Sequence, residues 1–215
     1  MPDLYIITGS NGAGKSSIGP DYLPPHILQH GPVFDGDKLF VEKRNELWRT
    51  IKSPKECRNQ AMDFVQHTFD SLVDHALAMN KDFAYEGHFG TEETWNIPRR
   101  FREAGFHIHL IFLGLRDIDL SNLRVFDRTK EGGHNVPPYE VELNFFGNLK
   151  KLNEHYALFH SVQIIDTSEA EHQVLAVFNE GEPAHAVPPD ILPHWFHSQL
   201  PAITQKIRDD EPKFF

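Results

Sequence analysis

The segment Gly9-Ser10-Asn11-Gly12-Ala13-Gly14-Lys15-Ser16 constrains this chain more than any other. It matches the pattern G-x-x-x-x-G-K-[S/T] and directly follows the apolar, β-rich run 4–8. That context reads as a loop leaving a buried first strand and opening a helix. The glycines let the backbone turn its N–H groups inward, which makes a concave anion site at a helix N-terminus. Gly9, Ser10, Asn11, Gly12, Ala13, Gly14, Lys15, Ser16 and Ser17 are therefore the expected phosphate cradle. The Lys15 ammonium is expected to reach the β- and γ-phosphates, and the Ser16 hydroxyl to ligate Mg²⁺. The expected ligand is ATP or GTP with Mg²⁺. Gly19-Pro20 implies that the first helix is short, since proline in a helix interior costs ~3 kcal/mol. The loop alone leaves open whether the γ-phosphate goes to water or to an acceptor.

Strand-like apolar runs alternate with helical patterns along the rest of the chain, which is the signature of an α/β fold with a parallel sheet. Strands are expected at 33–34, 83–85, 107–113 and 162–165, with an edge strand at 174–178. Helices are expected at 54–79, 94–104, 118–130 and 139–156. In the first of these, Ala61, Val65, Phe69, Leu72, Val73, Ala76 and Leu77 recur at spacings of three and four. The tail from 183 is rich in proline and histidine and is expected to carry one short helix near Trp195. The expected architecture is a P-loop NTPase of the nucleotide-kinase type: a three-layer sandwich with a parallel sheet of about five strands and a helical lid. The expected organisation is a single domain over 1–215, with the lid at about 124–146 and the tail at 183–215.

Composition bounds the partners. The chain has 215 residues, with 31 acids against 21 bases and a formal net charge of −10. Broad contact with nucleic acid or anionic membrane needs basic patches, so neither is expected. A small cationic cleft for phosphate stays compatible with that balance. The single cysteine, Cys57, allows no intramolecular disulfide and suits a reducing compartment. No run approaches the ~18 apolar residues of a membrane helix, and Met1-Pro2-Asp3-Leu4 does not look like a signal peptide. A cytoplasmic location is expected.

Phosphoryl transfer needs Mg²⁺, positive charge on the γ-phosphate and a base that orients the attacking group. In open α/β sheets ligands bind at the C-terminal ends of the strands. Asp35 and Asp37 end the second strand, and Glu86 ends the third. Asp37 is the expected base, Asp35 positions substrate or a metal-bound water, and Glu86 contacts substrate or a metal-bound water. Arg124 and Arg128, four apart, share a helix face ahead of Gly132-Gly133. They read as a lid pair closing charge over the transferring phosphate. His134, beside that lid, either contacts phosphate or caps the loop. The other histidines form no expected metal cluster; His107 and His109 share a strand face, but no cysteine or acid pairs with them at a zinc-like spacing.

The order of these features resembles the zeta-toxin family of P-loop kinases, particularly its short, stand-alone members. The most specific stretch is Arg124-Val125-Phe126-Asp127-Arg128-Thr129-Lys130-Glu131-Gly132-Gly133-His134-Asn135-Val136-Pro137. The resemblance runs from about residue 4 to 168, and loosely on to 195. It implies phosphorylation of a small acceptor from a purine triphosphate with Mg²⁺. Characterised toxins of this type act on a sugar hydroxyl of UDP-N-acetylamino sugars, and an antitoxin is a possible partner. By resemblance, Asp37 matches the catalytic aspartate, Glu86 the acceptor-contacting glutamate, and Arg124 and Arg128 the first lid arginines. This chain has Gly87-His88 where the family usually has threonines, which makes His88 a candidate acceptor contact. It has Glu142-Leu143-Asn144-Phe145-Phe146 where the family commonly has an arginine cluster, and Asn135 in place of the usual acid. Two alternatives remain at this level: a nucleotide-dependent switch without an acceptor, and a kinase of a nucleoside or antibiotic hydroxyl.

Overall fold

The computed structural model describes residues 1–130, 136–210 and 212–215. Helices cover both sides of one eight-stranded sheet. Five strands form its parallel part, in the spatial order β2 (Phe34–Asp35), β3 (Phe83–Glu86), β1 (Asp3–Gly9), β4 (His107–Gly114) and β5 (Ser161–Asp166). These are the five parallel strands expected from the apolar runs. β1 and β4 are buried on both faces, which explains why they read as continuous apolar runs rather than alternating ones. The parallel register brings strand ends together: Asp35 pairs with Glu86, and Glu86 pairs with Ile7 two residues before Gly9.

Three further strands extend the sheet. β6 (Gln173–Asn179) runs antiparallel to β5, β7 (Glu182–Ala186) antiparallel to β6, and β8 (Lys213–Phe214) parallel to β7. The run 174–178 is thus an interior strand and not the expected edge. Pro183 obscures β7 in the sequence, because proline cannot donate to a ladder. The structure accommodates it opposite Phe178, where the β6–β7 register shifts.

The helices follow local signals. In α3 (Pro54–Met79), the Ser53 hydroxyl accepts from the Glu56 N–H, Pro54 opens the first turn, and Asn80 closes the helix at φ 52°. Its apolar face meets the sheet through Phe69, whose ring touches those of Phe34, Phe83 and Tyr85. Between β2 and α3 lies α2 (Gly36–Trp48), a helix that the apolar pattern does not reveal. None of its residues is buried, so it carries no apolar stripe to read. α1 (Pro25–His30) precedes β2, and α4 (Asn96–Glu103) leads into β4. The candidate lid helices are α5 (Ile118–Lys130) and α6 (Pro138–His155). At the opposite end of the sheet, His107 and His109 do meet an acid. Asp3 of the neighbouring strand lies 3.5 Å and 3.2 Å from their rings.

The C-terminal segment belongs to the core rather than lying on it. α7 (His194–Gln199) and α8 (Pro201–Asp210) bury Trp195, Phe196, Leu200, Ile203 and Ile207 in the same cluster as Leu4, Ile111 and Ile164. The Trp195 indole N–H donates to Asp166 Oδ2 at 2.8 Å, and its ring fills the space beside Gly114. Replacing Trp195 with alanine should cost about 3–5 kcal/mol of folding free energy, measured by urea denaturation. A cost below about 1 kcal/mol would mean that the segment is peripheral.

Candidate active site

The loop after β1 adopts the conformation its glycines permit. Gly12 and Gly14 take φ of 76° and 91°, a region that strains any residue with a Cβ. A Cβ on Gly12 would also stand 2.8 Å from the Cβ of Arg124. Among the described residues, no hydrogen bond engages the N–H groups of Asn11, Gly12, Gly14, Lys15 or Ser16. Those five amides are available to an anion. The helix expected after the loop is reduced to one turn, in which the N–H groups of Ser17, Ile18 and Gly19 all converge on the Gly14 carbonyl. A 3₁₀ turn at Gly19–Tyr22 replaces its continuation, because Pro20 has no N–H to give.

Lys15 turns its amine onto the loop's own backbone. Nζ donates to the carbonyls of Gly9 at 3.2 Å and Ser10 at 3.1 Å, and lies 3.4 Å from His88 Nε2. Burial lowers the Lys15 amine to about 8, against the upward pull of Glu86 and Asp37; Arg128 adds to the lowering. The Ser16 hydroxyl donates to Glu86 Oε1 at 2.8 Å. Glu86 is raised to about 7, first by burial and then by the facing charge of Asp35, with the Ser16 hydrogen bond opposing the rise. Asp35 caps α2 by accepting the Lys38 N–H at 2.8 Å, so part of its hydrogen-bonding capacity is structural. Asp37 lies in the first turn of that helix, exposed, with its charge felt at Lys15. Lys15, Ser16, Asp35, Asp37 and Glu86 thus gather at the C-terminal ends of β1, β2 and β3.

Helices α5 and α6 dock on the loop. From α5, the Ser121 hydroxyl donates to the Asn11 carbonyl at 2.6 Å. The Arg124 guanidinium donates to the carbonyls of Gly12 at 3.3 Å and Ser168 at 3.0 Å, clasping the loop to the turn after β5. Arg128 lies close enough for its charge to reach both Lys15 and His88. From α6, Asn144 Nδ2 donates to Asn11 Oδ1 at 2.9 Å, and the buried Asn148 donates to the Gly9 carbonyl at 3.2 Å. His88 turns inward onto Lys15 and Asn148, away from the outer cavity described next. His134 and Asn135 lie outside the described residues.

Beside Asp37 opens a cavity of about 910 Å³ between α2, α3 and the start of α6. Arg44, Arg58, Trp48 and Tyr139 line it together with Asp37. Arg44 lies over the Phe40 ring, and the charge of Arg58 is felt at the Tyr139 hydroxyl. Arg44 and Arg58 at the cavity, and Asn144 and Asn148 at the loop, carry no motif that marks them in the sequence. The i, i+4 spacing of Asn144 and Asn148 is the one local signal, and it points to that pair alone.

A G-x-x-x-x-G-K-S loop leaving the central strand of a mostly parallel sheet with helices on both sides is the P-loop kinase-like fold. The zeta-toxin family model matches residues 1–176, and the chain belongs to that family. No curated protein matches it in sequence. Among solved structures, it is similar to one from the PezAT chromosomal toxin–antitoxin system of Streptococcus pneumoniae. The identity is 22% and the TM-score 0.59, over 80% of this chain and 71% of the other. It is also similar to the AvrRxo1-ORF1:AvrRxo1-ORF2 complex with sulphate ions, at 17% identity and a TM-score of 0.64, over 86% of this chain. The same complex with ATP gives 16% and 0.62. In both AvrRxo1 comparisons the match spans 60% of the other chain's length.

The raised Glu86 carboxyl has a consequence for stability. The folded state favours its protonated form, so its contribution is complete below about 4.5 and is lost as pH rises through about 7. Glu86→Gln should therefore gain stability relative to the parent between about pH 5 and about pH 8, read by chemical denaturation at each pH. A constant difference across that range would contradict the assigned environment.

Proposed function

We propose that this chain is an ATP- and Mg²⁺-dependent kinase that transfers the γ-phosphate to a hydroxyl of a small acceptor. The position of Asp37 carries this reading: it couples electrostatically to Lys15 on one side and lines the outer cavity on the other. In this reading Lys15 and the free loop amides hold the phosphates, and residues 124–146 act as the lid. Arg128 adds positive charge where the phosphoryl group passes. Asp37 accepts the acceptor's hydroxyl proton while the new O–P bond forms and the β–γ bridging O–P bond breaks, releasing ADP.

The oxygen donors at the loop suit a hard cation: the Ser16 hydroxyl converges with Glu86, and Asp35 stands beside Glu86. Ser16 would hold Mg²⁺ directly, with Glu86 and Asp35 placed for its waters. When bound, the ion neutralises charge on the phosphate oxygens. The acceptor to test first is a UDP-amino sugar. Arg44 and Arg58 suit its diphosphate, and Trp48 and Tyr139 its planar base. A protein antitoxin is the proposed partner, by analogy with the PezAT system.

A second reading, a nucleotide-dependent switch, draws on Arg124, whose guanidinium is engaged by two backbone carbonyls. Incubation with γ-labelled ATP, Mg²⁺ and a metabolite extract separates the readings. A labelled small molecule supports the kinase; release of free phosphate alone supports the switch. Asp37→Ala should keep ATP binding and lose about 10²–10⁴-fold in transfer. Transfer retained at the parent rate would remove Asp37 from its role.

A further inference from the structure

The loop after β3, the phosphate loop and α6 meet at one buried amide. The Asn148 side chain is 1% exposed and contacts all three segments. Its Oδ1 accepts the N–H of Phe89, and its Nδ2 donates to the carbonyl of Gly9 at 3.2 Å. A backbone N–H can only donate and a carbonyl can only accept, so these two partners fix which way the amide faces. The same Nδ2 lies 3.2 Å from His88 Nδ1. Because Nδ2 is a donor, His88 Nδ1 must offer its lone pair. The ring therefore carries its proton on Nε2.

This tautomer decides what Lys15 meets. An ammonium has three protons to give. Two are taken by the carbonyls of Gly9 and Ser10. The third acceptor in reach would be His88 Nε2, 3.4 Å away, but that nitrogen presents an N–H. We infer that Asn148 and His88 are positioning residues for Lys15: the amide sets the imidazole tautomer, and the tautomer withholds an acceptor, so one lysine proton stays available to an incoming phosphate. The group at position 88 thus acts by what it does not accept. On this inference His88 serves the nucleotide side of the site.

The inference rests on the phosphate-binding role given to Lys15 above, but its first test does not. A two-dimensional ¹⁵N–¹H spectrum of the histidine rings in the intact protein reports the tautomer directly. The expected result is a neutral His88 with its proton on Nε2. A proton on Nδ1, or a doubly protonated ring at neutral pH, overturns the inference. The second test uses two variants and ATP titration calorimetry. His88→Gln can turn its Oε1 towards Lys15 and capture the third proton, so its Kd for ATP should rise about tenfold. His88→Phe keeps a ring and offers no acceptor, so its Kd should rise less than that of His88→Gln, although its melting temperature falls further. A merely structural role predicts the reverse order, with glutamine the milder change. That reverse order, or an unchanged Kd in His88→Gln, contradicts the inference. A parent protein that binds no ATP would instead defeat the nucleotide reading and leave the tautomer to be judged by the spectrum.

Discussion

A desolvated lysine amine held among strand-end carboxylates is the interaction around which this molecule is organised. An isolated buried ammonium would be too costly to keep. Lys15 is sustained by two loop carbonyls and by the charges of Glu86, Asp37 and Asp35. Asp35 and Glu86 end adjacent parallel strands, and the Ser16 hydroxyl donates to Glu86 across a short gap, which offsets part of the repulsion between them. The local balance reverses the global one. In a chain of net charge −10, the centre of the site is a cation that neither solvent nor a single salt bridge satisfies.

The sheet makes that arrangement possible. Parallel strands deliver all their C-terminal ends to one side, so Gly9, Asp35 and Glu86 arrive together although they are far apart in the sequence. Helices α5 and α6 then dock on the loop: Ser121 and Asn144 on Asn11, Arg124 on Gly12, and Asn148 on Gly9. Where the family commonly concentrates arginines after the Val-Pro, this chain places an asparagine that hydrogen-bonds the loop. α6 therefore contributes hydrogen bonds there rather than charge, and the charge of Arg128 reaches Lys15 from α5.

Much of this was legible from residue order. The phosphate loop, the five parallel strands and the carboxylates at 35, 37 and 86 each carry a local signal: a motif, an apolar run, or a polar residue at a strand end. What escaped were features created by tertiary pairing. α2 buries no residue and so shows no periodicity. β7 contains a proline that makes sense only against the register shift in β6. Asp3 meets His107 and His109 from a different strand. The inward turn of His88 depends on Asn148, 60 residues away, and no local pattern encodes that contact.

The central claim is that Lys15 is the phosphate-binding cation of this fold. It is tested most directly by calorimetric titration of ATP with Mg²⁺ into the parent protein and into Lys15→Ala. The account predicts saturable one-site binding to the parent and a Kd raised at least about a hundredfold in the variant, with the folded structure retained. Equal affinity in the two proteins would contradict it.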